Sequence, residues 1–178
     1  RQYSMLIDEL EAKWDYSKLV VMGHSQGGRI VAELSTKDAV SQFVFMSADP
    51  LGQISVVADR EYAKFENRME QKMEQYYSIL DEDKKDSIFW GSSFASWQSF
   101  SKPTLVSLSQ VKVPTLIVYG GLDENCPNCY AYPFFSSFYP FIESMVFPQY
   151  DHNFFDANST NKWDVVLDDV FSWIEEVS

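Results

Sequence analysis

Cysteine and histidine are the scarcest reactive side chains of this 178-residue chain, with two of each. Cys126 and Cys129 are too few for a disulfide scaffold and cannot enclose a zinc ion without other ligands. His24 and His152 leave a short list of neutral-pH bases. Positive charge is also sparse, with 14 Lys and Arg against 26 Asp and Glu. The resulting net charge of −12 argues against nucleic acid and anionic membrane surfaces as partners. It weighs mildly against a highly anionic substrate too, although local charge can override the average. No window approaches the run of about 20 apolar residues that a membrane-spanning helix needs. There is no internal repeat, low-complexity segment or interdomain linker. What the chain has in quantity is apolar surface, 46% hydrophobic and 16% aromatic. At this length, that suits a single domain over residues 1–178 with a sizeable core.

Hydrophobic periodicity places the elements. Leu6, Leu10 and Trp14, with Ile7 beside them, predict an amphipathic helix over 4–14 that lies on a sheet. Leu19 to Met22 reads as a short buried strand, residues 26 to about 37 as a helix, and Phe43 to Met46 as a second buried strand. The pattern is that of an α/β protein with a mostly parallel sheet flanked by helices. Between Pro50 and Val111 the character changes. Tyr62, Phe65, Met69, Met73, Tyr76 and Leu80 predict one long helix. Phe89, Trp90, Phe94, Trp97 and Phe100 follow without clear period. Residues 50–111 are expected to form a helical insertion that covers a site at the strand ends as a lid, or else a second small core. Sheet strands resume at Val113–Tyr119 and Ser144–Phe147. A partly helical stretch over 130–138 lies between them, and a helix through Trp163, Val166, Leu167, Val170, Phe171 and Ile174 closes the chain.

Gly23-His24-Ser25-Gln26-Gly27, with Gly28 behind it, joins the first strand to the helix after it. A serine at such an apex projects its hydroxyl from strained backbone, and glycines two residues to either side are expected because a Cβ would collide with strand and helix. A serine hydroxyl becomes a nucleophile when a base takes its proton and an acid orients that base. His24 is adjacent to Ser25, where side chains diverge, so His152, in the loop after the last strand, is the expected base. Asp123 follows the strand over 115–119 and is the expected acid, with Asp49 as the alternative. Asp151 neighbours the base and points elsewhere. The order is Ser, Asp, His. The backbone N–H of Gln26 would supply one oxyanion donor. The Cys126-Pro127-Asn128-Cys129 spacing is that of a redox pair, but its place in a loop after the acid argues against a thioredoxin-like role, and two buried thiols are expected. No metal or organic cofactor is called for.

These residues resemble the α/β-hydrolase family of serine esterases and lipases. Gly23 to Gly28 look like its nucleophile elbow, Gly120-Gly121-Leu122-Asp123 like its acid turn, and Asp151-His152-Asn153-Phe154 like its histidine loop. The insertion and the elbow look similar to the cinnamoyl and feruloyl esterase group. That likeness implies a small-molecule ester substrate, with Phe89, Trp90, Phe94 and Trp97 in its pocket. It also implies strands before the elbow strand, which carry the second oxyanion donor and are not in this sequence. The expectation is an N-terminally incomplete domain whose edge beside residues 18–22 is covered by another chain or segment. Three activities remain open: a serine esterase, a thioesterase or acyl-peptidase, and a catalytically silent subunit that binds a partner.

Overall fold

The computed structural model describes residues 2–64 and 69–177. Among the described residues are six strands and eight α-helices. The strands are β1 (Val20–His24), β2 (Gln42–Met46), β3 (Ile88–Phe89), β4 (Ser92–Ser93), β5 (Thr115–Gly120) and β6 (Ile142–Phe147). The helices are α1 (Gln2–Lys13), α2 (Gln26–Leu34), α3 (Gln53–Lys64), α4 (Met69–Ile79), α5 (Phe94–Phe100), α6 (Thr104–Leu108), α7 (Tyr132–Ser136) and α8 (Trp163–Glu176). The main sheet runs β1-β2-β5-β6, all parallel. Its central strands β2 and β5 are buried at every position, as the unbroken apolar runs over 43–46 and 115–119 require when both faces are covered.

Alternation along these strands splits the core in two. Phe43, Phe45, Ile117 and Tyr119 face a cluster that includes Ile7, Val31, Leu34 and Tyr132. Val44, Met46, Leu116 and Val118 face Val166, Val170 and Trp173 of α8. Phe43 and Phe45 are wholly buried, and burial of each such ring contributes about 1.5–3 kcal/mol. Among the described residues β1 pairs with β2 alone, so it forms a sheet edge, with Met22 exposed. In α1 it is Ile7 that is buried, whereas Leu6 and Trp14 are exposed. The expected apolar stripe is thus shifted around that helix. In α8, likewise, Phe171 is exposed and Trp173 takes an inward place.

The stretch expected as one long helix is two, α3 and α4; Phe65 lies outside the described residues. Val57 of α3 shares a small core with Tyr76 and Ile79 of α4, residues that a single straight helix would hold about 28 and 33 Å from Val57. The two helices therefore pack side by side. Tyr76 is buried, while Tyr62 and Leu80 are exposed. The aromatic segment after them is ordered by a hairpin of β3 and β4. Its turn residues Trp90 and Gly91 both have positive φ, 46° and 79°, as the tightest hairpin turns require. Trp90 stacks on Phe89 at 4.8 Å between ring centroids.

At the carboxyl ends of the parallel strands, register aligns His24 with Met46, Met46 with Val118, and Gly120 with Phe147. The loops after β1, β2, β5 and β6 therefore open on one rim of the sheet. The close approach beneath that rim sets a steep requirement at Gly23. A Cβ there would lie 2.4 Å from the Gly27 carbonyl oxygen and 2.7 Å from Val31. Gly23→Ala is expected to destabilise the fold by about 3 kcal/mol or more, read as a lowered urea midpoint at unchanged slope.

Candidate active site

Ser25 stands between β1 and α2 with φ 55° and ψ −122°, a conformation that costs a non-glycine residue about 1–3 kcal/mol. Two backbone hydrogen bonds hold it there. Its N–H donates to the Met46 carbonyl at 2.7 Å and its carbonyl accepts from Gly28 N–H at 3.0 Å. The steric role expected of Gly27 falls to its neighbour. A Cβ at Gly27 would meet nothing within 4 Å, whereas one at Gly28 would lie 2.3 Å from the Ala48 Cβ. Gly27 instead contributes the carbonyl that crowds Gly23. Gln26 is the first residue of α2, so its N–H has no carbonyl one turn earlier to bond.

The structure brings Ser25, His152 and Asp123 into one hydrogen-bonded line. The Ser25 Oγ is 2.9 Å from His152 Nε2. On the other side of the ring, His152 Nδ1 lies 2.8 Å from Asp123 Oδ1 and 2.9 Å from Oδ2. The Asp123 side chain is 1% exposed and that of His152 13%. Asp123 Oδ1 also accepts the backbone N–H groups of Asn125 at 2.8 Å and Cys126 at 2.9 Å. The carboxylate is thus oriented before it meets the imidazole. Asp49, the alternative acid, is engaged elsewhere: its carboxylate accepts from Leu51 N–H and from both amides of Asn128. Asp151 accepts from the N–H groups of Asn153 and Phe155, which shapes the loop that presents His152. Phe154, wholly buried with φ 55°, anchors that loop.

Cys126 and Cys129 are not free thiols but a disulfide within the acid loop. The turn that links Cys129 N–H to the Cys126 carbonyl at 3.0 Å brings their Cα atoms to 5.3 Å, inside the range a disulfide bridges.

His24 has a place that its sequence position hid. It does not reach Ser25. Its Nε2 lies 2.8 Å from the His152 backbone carbonyl, an acceptor only, so His24 donates and holds the His152 backbone from behind. Its ring packs edge-on against Trp163 and tilted against His152 and Phe154. Burial pushes the His24 pKa below its ordinary value, with the His152 carbonyl partly offsetting it. The unfolded chain, with a histidine pKa of about 6.5, therefore takes up a proton that the folded protein resists. Stability from this group is complete above that pH and falls as pH drops through it. Urea unfolding at about pH 8 and about pH 5.5 is expected to show this loss in the parent protein and a smaller one in His24→Gln.

A cleft beside Ser25 is lined by Gln26, Arg29, Ser47, Gln53 and Phe100, among others. A second, lined by Gln26, Gln53, Trp97 and Phe100, adjoins it. Of the four aromatics expected in a pocket, Trp97 lines the second cleft. Phe94 is buried in the small helical core, Phe89 packs against that core, and Trp90 is exposed. Phe100, the last aromatic of that segment, lines both clefts, whereas Arg29 and Ser47 are cleft residues that periodicity could not single out, since each reaches the rim from a different element.

No family model and no curated protein sequence matches the chain. Solved structures do. E-2-(acetamidomethylene)succinate hydrolase is similar with a TM-score of 0.60 at 18% identity, over 98% of this chain and 71% of that one. A structure of the metagenome-derived lipolytic enzymes LipS and LipT gives 0.58 at 14% identity, over 97% and 70%. A bromoperoxidase from Bacillus anthracis gives 0.50 at 21% identity, over 84% and 64%. With four parallel strands, helices against both faces and a strand-to-helix turn at Ser25, the chain has, in part, the α/β-hydrolase fold.

Proposed function

We propose that the protein is a serine hydrolase that cleaves carboxylic esters through an acyl-enzyme. The observation that carries this reading is the continuous hydrogen-bonded line from Ser25 through His152 to buried Asp123. Ser25 Oγ attacks the ester carbonyl while His152 Nε2 takes its proton, and the negative charge that develops on the carbonyl oxygen is met by Gln26 N–H. His152 then gives the proton to the departing alcohol oxygen as the carbon–oxygen bond breaks. Water, deprotonated by the same imidazole, releases the acid. Asp123 holds His152 with Nδ1 protonated, so that Nε2 is free to accept. The turn at Ser25 serves as a nucleophile elbow. Residues 50–111 serve as a lid, which Gln53, Trp97 and Phe100 bring over the cleft.

A fluorophosphonate probe tests the reading. The expected result is a covalent adduct on the native protein that maps to Ser25. No adduct at Ser25 would overturn it. That outcome would favour a silent α/β-hydrolase-like subunit, for which the unpaired edge of β1 is the observation, with a partner chain or segment completing the sheet beside residues 18–22. If Ser25 is labelled, relative turnover of matched oxygen esters, thioesters and acyl-peptides separates esterase from thioesterase or acyl-peptidase.

A further inference from the structure

We infer that the cleft beside Ser25 binds a carboxylate on the substrate through Arg29 and Ser47, so that the preferred substrate is a half-ester of a short dicarboxylic acid. This deepens the ester-hydrolase reading and rests on it for the bond cleaved, though not for the binding.

Two buried polar atoms in this cleft have no partner among the described residues: Arg29 Nη1 and Ser47 Oγ. Arg29 is 8% exposed and Ser47 2%. Natural folds leave few such groups unpaired, because a buried donor without an acceptor costs about 1–3 kcal/mol and more when charged. Here both belong to residues that line the same cleft as the nucleophile. Their partners elsewhere are accounted for. Arg29 donates through Nε to the Ser99 carbonyl at 3.1 Å and through Nη2 to Glu33 at 3.3 Å. Ser47, held with φ 47° at the end of β2, uses its N–H on the Val118 carbonyl. A guanidinium nitrogen and a hydroxyl are both donors, and a guanidinium is matched by a planar anion.

Position limits the length of the substrate. Arg29 follows Ser25 by one turn of α2, about 6 Å along the axis, and helical side chains lean back toward the N-terminus. Ser47 follows Met46, whose carbonyl holds Ser25 N–H. A carboxylate in this cleft is therefore separated from the carbonyl that Ser25 attacks by a short chain, about two or three carbons for one turn of helix. Asp49 also lines the cleft, but Leu51 and Asn128 occupy its oxygens. Arg29, ion-paired through Nη2 with Glu33, keeps Nη1 as the donor without a partner among the described residues.

The test pairs a charged with a neutral ester of equal length, ethyl hydrogen glutarate and ethyl pentanoate, and adds a titration of glutarate into Ser25→Ala by calorimetry. The expected result is a kcat/KM at least about tenfold higher for the half-ester, carried mainly by KM. Arg29→Gln and Ser47→Ala should each drive the ratio toward one. Glutarate should bind Ser25→Ala and bind more weakly once either substitution is added. Equal kcat/KM for the two esters, or no heat from glutarate, overturns the inference. Should Arg29→Gln fail to fold, Ser47→Ala and the parent titration still decide it. Should neither ester turn over while glutarate binds in an Arg29- and Ser47-dependent way, the ester-hydrolase reading fails and the anion site stands.

Discussion

Ser25→Ala is expected to lower kcat/KM for a reactive ester such as 4-nitrophenyl acetate by about 10⁴-fold or more, with no loss of stability. The size follows from what the substitution removes. Only the hydroxyl goes, and with it the atom proposed to form the acyl-enzyme. Water attacking in its place lacks the positioning that the turn at Ser25 confers. Ser25 has φ 55°, a conformation alanine shares no more easily than serine, and its backbone bonds to Met46 and Gly28 do not involve the side chain. The urea midpoint should therefore stay within about 0.5 kcal/mol of the parent. Retention of more than a hundredth of the parent activity in a homogeneous sample would mean that Ser25 is not the nucleophile.

Asp123→Asn is expected to cost nearly as much, about 10⁴-fold in kcat/KM at neutral pH, and the structure says why an isosteric change should be so severe. Asp123 Oδ1 accepts two backbone N–H groups, from Asn125 and Cys126. An asparagine must keep its amide oxygen there, because an NH₂ facing two donors would leave three buried groups unpaired. Its NH₂ then takes the place of Oδ2, 2.9 Å from His152 Nδ1. Nδ1 then meets a donor at 2.9 Å as well as the retained oxygen at 2.8 Å, so the tautomer with Nδ1 protonated loses its preference and part of the population carries the ring proton on Nε2. In those molecules Nε2 can no longer take the proton of Ser25, 2.9 Å away. Steady-state kinetics should show the loss in kcat more than in KM, and fluorophosphonate labelling should slow in parallel. An NMR signal for the ring proton, shifted from Nδ1 to Nε2, would report the tautomer directly. Kinetics within tenfold of the parent would move the orienting role away from Asp123.

Much of this site could be read along the chain, since each member sits in a loop between elements with strong periodicity. The apolar run over 19–22, the serine turn and the amphipathic helix after it lie next to one another in sequence, so local rules suffice for them. Asp123 and His152 follow the strands over 115–119 and 144–147 at their carboxyl ends, where a parallel sheet gathers its loops. The misplacements have a common cause. Leu6, Trp14, Phe171, Tyr62 and Leu80 are all apolar and all exposed, because periodicity gives a stripe but not the width of what covers it. The continuous helix expected across 62–80 divides because Val57 finds its partners in Tyr76 and Ile79, a side-by-side contact that no single-helix pattern encodes. The two cysteines were visible, but whether they bond depends on the turn between Asp123 and Cys129.

Sequence by itself determined the alternation of helices and parallel strands, the turn that carries Ser25 and the strand ends after which Asp123 and His152 follow, because these depend on residues close in the chain. Tertiary structure alone decided that His24 holds the His152 carbonyl, that Gly28 rather than Gly27 has no room for a side chain, and that Arg29 and Ser47 share a cleft with Ser25. Each of these joins residues of different elements, from the neighbouring α2 and β2 to β1 and the loop after β6, and is set by strand register and helix packing.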